Sequence, residues 1–306
     1  MNLKGPQRPA TGSAAARRRL LLVWTTLLVV LLGTVSLGIA RTGTPRTDFF
    51  ASLASQLQEP GAAAPAAKPP RAVADLDAEI RRILAENGDY RIGVVLADTR
   101  GGEPKSFGDV TEYVAASTAK IITAAAYYHL VETGEKSLAV PLGSFDAAFQ
   151  VKAMVNSSSD DSWLLLMQNI GYPKLIEYAA SIGISYDPEQ NELTPAEMTS
   201  LLQQLSAGKL LNSEHTEELL GYMQETNNDR LIPAAVGPGI TVQHKYGEVA
   251  GYVHDAAILS SGGRSYALAI YTWGEQDGES EARLDVIHEL TGAVTGALFG
   301  DGPQPG

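Results

Sequence analysis

ITVQHKYGEVAGYVHDAAILSSGGRSYALAIYTW, residues 240–273, decides the fold. ITVQHKYG, VHDAAILSS and SYALAIYTW read as three consecutive strands, short apolar and β-branched runs parted by glycine-bearing turns. Arg283–Leu298 follows as an amphipathic helix, with Leu284, Ile287, Leu290, Val294 and Leu298 on one face. Upstream, residues 146–232 are mostly helical in pattern with short breaks. Before them, RIGVVLADT (91–99) and the run to Val110 form a strand pair around Gly101-Gly102, and DLDAEIRRILAEN opens with Leu76, Ile80, Ile83 and Leu84 at helical spacing. The order is helix, two strands, helical block, three strands, helix. Strands from both ends must meet around an all-helical insertion. The expectation is an α+β fold: an antiparallel sheet flanked by terminal helices, plus an all-helical subdomain. A site belongs in the cleft between sheet and helical block.

VAASTAK, residues 114–120, leads into the apolar helix IITAAAYYHLVE, which Gly134 stops. Ser117 stands where the positive end of that helix points, and Lys120 lies one turn on, on the same face. A partly buried lysine loses its proton more easily and can then take one from a serine. A helix N-cap is the competing role for Ser117, and the spacing alone does not choose. A second Ser-x-x-Lys, Ser206-Ala-Gly-Lys209, contains Gly208 and sits at a helix end.

Bulk properties narrow the function. The 306-residue chain carries a net charge of −12, yet residues 1–41 hold six basic residues and no acid. The rest stands at −18, which disfavours nucleic acid and other polyanions. There is no cysteine, so disulfides, thiol nucleophiles and thiolate metal sites are excluded. The five histidines (129, 215, 244, 254, 288) are scattered, with no His-Glu-x-x-His spacing, and no metal or cofactor is expected.

Leu20–Ala40 is an uncharged stretch of 21 residues. As a helix it spans about 31 Å at ~1.5 Å per residue, enough for a bilayer. Arg17-Arg18-Arg19 precede it, which puts the N-terminus on the cytoplasmic side. A cleaved signal peptide ending near Gly38-Ile39-Ala40 is the alternative; the length favours an uncleaved anchor. The predicted organisation is a cytoplasmic basic tail (1–19), a transmembrane signal-anchor (20–40), an extracellular Pro/Ala-rich linker (41–74), a folded domain (75–300) and a short tail (301–306).

MVNSSSDDSWLLL from Met154 and VQHKYG from Val242 complete a set of three motifs with VAASTAK. Together, in this order and on these elements, they resemble the serine β-lactamase and penicillin-binding protein superfamily, whose signature is Ser-x-x-Lys, Ser-Asp-Asn, Lys-Thr-Gly. The resemblance spans about 75–298 and is closest to the class A β-lactamase-like group. It implies Ser117 as nucleophile and Lys120 as its activating base. It places Ser-Asp-Asn on Ser158-Ser159-Asp160, with Ser159-Asp160-Asp161 as the alternative register, so that Ser158 relays a proton to the leaving nitrogen. Lys245-Tyr246-Gly247 matches Lys-Thr-Gly: Lys245 supplies positive potential for an anionic substrate group, and Gly247 lets substrate backbone lie along the strand. The oxyanion hole falls to the backbone N–H groups of Ser117 and Glu248.

Three departures stand out. Asp160 replaces an asparagine and would hold Lys120 protonated if close. Tyr246 puts a phenol where the pattern has a small hydroxyl. SIGISYDPEQNELTPAEM lacks the Glu-x-x-Leu-Asn that carries the deacylating glutamate; Glu189 and Glu192 are candidates by position only, against a reading as solvated loop charges. The expected function is therefore a membrane-anchored, extracytoplasmic serine hydrolase, acylated by a β-lactam or a peptidoglycan-type peptide, with acylation better supported than turnover. The alternatives are a penicillin-binding or peptidase-like protein, and a catalytically retired domain that binds cell-wall peptide or an envelope protein. A Ser-His-Asp esterase is disfavoured: there is no Gly-x-Ser-x-Gly, and His254 and Asp255, adjacent on a strand, face opposite ways.

Overall fold

The structure, a computed structural model, describes residues 76–275 and 280–300. The anchor at 20–40, the linker at 41–74 and the tail at 301–306 lie outside the described residues. Among the described residues no helix is long and apolar enough to cross a membrane.

Helix α1 (Leu76–Glu86) leads into β1 (Arg91–Asp98) and β2 (Lys105–Gly108). The helical block follows. It holds α2 (Lys120–Glu132), α3 (Ala147–Asn156), α4 (Asp160–Ile170), α5 (Tyr172–Ser181), α6 (Pro195–Ser206) and α7 (Ser213–Tyr222), with the short pairs β3 (Tyr113–Val114) with β6 (Glu192–Leu193) and β4 (Pro141–Leu142) with β5 (Phe145–Asp146). Then come β7 (Thr241–Val249), β8 (Tyr252–Ser261), β9 (Arg264–Trp273) and α8 (Ser280–Phe299). The two ends of the chain meet in one antiparallel five-stranded sheet ordered β2-β1-β9-β8-β7, as the element order demands. The last helix starts three residues before the predicted Arg283.

Both faces of the sheet are covered, so its central strands are buried end to end rather than alternating with solvent. The period of two still sorts the side chains. Leu268 and Ile270 of β9 join Ile80, Ile83, Ile287 and Leu290 from the terminal helices. Ala267, Ala269 and Tyr271 join the core of the helical block. α2 is apolar nearly all round and is sequestered there, with ten of its thirteen residues buried. Thr194 and Glu197 cap α6 reciprocally, and Pro195 occupies its first turn. That fixes the helix whose lead-in, residues 186–194, runs beside the strand carrying Tyr113 and Val114.

Candidate active site

Ser117 lies in a 3-10 turn, Ala116–Ala119, and the α-helix proper begins only at Lys120. The turn is strained: Ala116 has φ +49°, a left-handed value that costs an L-residue roughly 1–2 kcal/mol. Its surroundings hold it. Asn191 Nδ2 donates to Ala116 O (3.1 Å) and Asn191 O accepts from Ala115 N (2.7 Å). Thr118 Oγ1 donates to Ala115 O (2.7 Å) and lies 2.6 Å from Tyr271 Oη. His254 Nε2 is 2.9 Å from Val114 O. Several bonds of about 1 kcal/mol each offset the strain. The Ser117 hydroxyl is half-buried and makes no hydrogen bond to another described residue, so it caps no helix.

Lys120 is fully buried, yet its ammonium does not turn to Ser117. It donates to Ser158 O (2.7 Å), Ser158 Oγ (3.3 Å) and Asp160 Oδ1 (2.6 Å), and lies 5.1 Å from the centre of the Trp163 ring. Burial pulls its pKa below the ordinary lysine range against the opposing pull of Asp160. Asp160 keeps 56% of its side chain exposed, so water screens the pair from one side.

Lys245 enters from β7, also fully buried, and donates to Ser158 Oγ (3.0 Å) and Tyr246 O (3.0 Å). Burial, reinforced by the charge of Lys120, brings its pKa down to about 7. Ser158, with φ +55°, thus offers one hydroxyl oxygen to two lysines, leaving its own proton free to be donated onward. Ser159 serves as the N-cap of α4, accepting from Ser162 N, and Asp161 is exposed. The geometry thus brings Ser158 and Asp160, and not Ser159 or Asp161, to the Lys120 ammonium.

The unfolded chain keeps the Lys245 proton to about pH 10. Between about pH 7 and 10 it therefore binds more protons than the folded chain, and rising pH favours the fold by up to ~1.4 kcal/mol per unit. Relative to Lys245→Met, the wild-type chain should gain stability from pH 7 to pH 9 in denaturant unfolding. Parallel pH curves would contradict this account of the burial.

Gly247 brings β7 against the Ser117 turn: a Cβ there would lie 2.9 Å from Ser117 N, 3.0 Å from Ala115 O and 3.0 Å from Ala116 Cβ. Only a glycine permits this approach, which sets strand backbone beside the Ser117 amide. Glu248, next along, is exposed and accepts from Asn228 Nδ2 (3.1 Å).

Three features escaped the sequence reading. The first is Asn191, buried and itself at φ +53°, whose Oδ1 accepts from Tyr186 Oη (3.0 Å) while its amide holds Ala116. A signal existed: Asp187-Pro188-Glu189-Gln190-Asn191 keeps the spacing of Glu-x-x-Leu-Asn, with Asp for Glu and Gln for Leu. Glu189 and Glu192 are both exposed. Asn191→Gly keeps the backbone freedom and deletes the amide. It should cost ~1–2 kcal/mol of stability and slow acylation of Ser117 by about tenfold or more; an unchanged rate would remove Asn191 from the site.

The second is Asn227. Its Nδ2 donates to Ser157 O (2.9 Å), its N to Asn156 O (3.2 Å), and its Oδ1 accepts from Tyr246 Oη (3.0 Å). The third is His244, buried between Asp255 (2.9 Å) and Asp229 (3.1 Å). Burial pulls its pKa down, but the two carboxylates outweigh it and the net shift is upward. No esterase triad is assembled: Asp255 serves His244 and Ile232 N, while His254 receives Thr272 N (3.1 Å) and is pulled by burial to a pKa of about 4.

Ser206 and Lys209, the second Ser-x-x-Lys, sit at the end of α6 and in the following loop, with Lys209 exposed and Gly208 at φ +63°. A cavity of about 440 Å³, lined by Leu76, Asp98, Lys105 and Tyr266 among others, lies under the terminal helices and shares no residue with the site. Among the described residues no cluster of three His, Asp or Glu side chains could hold a metal ion.

The chain belongs to the beta-lactamase enzyme family, whose model matches residues 75–148 and 160–298. The match breaks over 149–159, which contains Ser158. No curated protein matches the chain. Solved structures share the fold. A beta-lactamase from Xanthomonas campestris pv. campestris is 23% identical with TM-score 0.65, over 73% of this chain and 97% of its own. PBP-A, solved as a point mutant in an acyl-enzyme complex with penicillin-G, is 21% identical with TM-score 0.64, over 74% and 97%. A beta-lactamase from Desulfarculus baarsii is 24% identical with TM-score 0.64, over 72% and 96%.

Proposed function

We propose that this chain is a serine hydrolase that forms an acyl-enzyme on Ser117 with a β-lactam or a peptide-like amide. The observation that carries the reading is Ser158: its hydroxyl is held between two buried lysines (3.3 and 3.0 Å), beside a glycine strand pressed on the nucleophile turn. Ser117 Oγ attacks the carbonyl carbon. Its proton passes to neutral Lys120, directly or through Ser158. The C–N bond breaks as Ser158 gives its proton to the leaving nitrogen and is resupplied from the lysine side, so no net proton is lost. The tetrahedral oxyanion is met by backbone N–H groups at Ser117 and Glu248. Hydrolysis of the acyl-enzyme needs a base for water; by spacing, Asp187 is the candidate carboxylate.

The test is intact mass of the full chain over time with millimolar β-lactam, with Ser117→Ala as the control. An adduct that decays as the drug is consumed means β-lactamase action; one that persists means penicillin-binding or peptidase-like action. No adduct with a β-lactam or with a small neutral serine reagent favours the second reading, a retired binding domain, which the 2.6 Å Asp160–Lys120 contact motivates because it opposes a neutral lysine. The extracytoplasmic, membrane-anchored location rests on the sequence of residues 17–40. It predicts that the protein is extracted from membranes by detergent and not by salt.

A further inference from the structure

Lys245 stands on β7, the strand whose Gly247 lies against the Ser117 turn, yet nothing of it is open to a ligand. It is 0% exposed. Its ammonium is engaged by Ser158 Oγ (3.0 Å) and Tyr246 O (3.0 Å), and the Tyr246 ring covers it, with the ring centre 3.9 Å away. β7 is one of the two edge strands of the sheet.

The ring is also fastened. Tyr246 Oη donates to Asn227 Oδ1 (3.0 Å), and Asn227 is pinned across the site to Asn156 O (3.2 Å) and Ser157 O (2.9 Å) at the end of α3. The other lysine, Lys120, is saturated, by Ser158 and Asp160. What the site does present outward is acidic: Asp160 is 56% exposed on its side chain, and Glu248 is exposed. An anion arriving here would lose its water, find the three donors of Lys120 engaged and the ammonium of Lys245, with two donors engaged, covered by the Tyr246 ring, and meet two carboxylates.

We propose, building on the hydrolase reading, that Tyr246 is a specificity determinant that caps Lys245 and selects acyl donors uncharged or cationic on the leaving-group side over donors bearing a carboxylate there. This reverses the role the motif implied for Lys245, a binder of an anionic group. The ammonium instead tunes Ser158, and the phenol shields it.

The test compares benzylpenicillin with its primary carboxamide, which differ in charge and scarcely in size. Acylation rates of the full chain are read by intact mass. The carboxamide should acylate the wild-type chain at least tenfold faster than the acid, and Tyr246→Thr should shrink that ratio at least tenfold by accelerating the acid. An acid that reacts as fast as the carboxamide in the wild-type chain overturns the proposal while leaving the hydrolase standing. That comparison needs no variant to fold. Failure of both compounds, and of a small neutral serine reagent, to label Ser117 overturns the hydrolase reading and this inference with it.

Discussion

Lys120→Met is expected to slow acylation of Ser117 by about 10²–10⁴-fold, the usual worth of a positioned general base, while leaving the fold standing. The two halves of that expectation come from the same geometry. Lys120 is fully buried beside the Trp163 ring, so an apolar chain of similar length fills its space. Removing a buried charge also removes its desolvation cost, and Asp160, already 56% exposed, can complete its hydration without its partner. The remaining loss is the donor to Ser158 O, roughly 1–3 kcal/mol if that carbonyl is left unpaired. Thermal unfolding and acylation rate, measured together, separate the cases. A rate within threefold of wild type would take Lys120 out of the chemistry. A large loss of stability with a proportionate loss of rate would make it a structural residue.

Gly247→Ala should act in the opposite way, through position and not through chemistry. The methyl would meet Ser117 N at 2.9 Å, Ala115 O at 3.0 Å and Ala116 Cβ at 3.0 Å. Two of these are backbone atoms, so no side-chain rotation relieves the contact. Either β7 or the Ser117 turn must shift, and the turn already holds Ala116 at φ +49°. A displacement of a few tenths of an ångström up to 1 Å at reacting atoms costs up to about 10²-fold in rate. The expected result is a loss of that order with an intact sheet, because β7 keeps its full register with β8. Gly237→Ala, where nothing lies within 4 Å of the new carbon, is the matched control and should change nothing. Equal rates for the two variants would contradict the close approach of strand and nucleophile.

The fold was legible because the sheet is buried on both faces and its strands read as apolar runs, while the chain order left one way to join them. That Lys120, Ser158 and Lys245 come together was legible because the three motifs fell on elements that border one cleft. What stayed hidden depends on register and on contacts remote in sequence. His244 meets Asp255 diagonally across β7 and β8, where Asp255 stands opposite Tyr246. No periodicity predicts that pair. Asn227 joins Ser157 and Tyr246 from a loop with no regular pattern. Asn191 was obscured because only the asparagine of Glu-x-x-Leu-Asn is present, with Asp187 and Gln190 where that pattern has Glu and Leu. The resemblance left open whether Asp160 is close to Lys120; the ammonium meets it at 2.6 Å, and also Ser158 O, from a residue at φ +55°, a conformation the sequence does not announce.

The measurement that bears most directly on the central claim is peptide-mass mapping of the full chain after reaction with a small, uncharged fluorophosphonate, beside Ser117→Ala. The reagent needs only an activated serine and an oxyanion site, and makes no demand on Lys245. The account predicts one adduct, on Ser117, absent from the alanine variant. An adduct that survives the substitution, that maps to another serine, or that never forms would contradict Ser117 as the nucleophile.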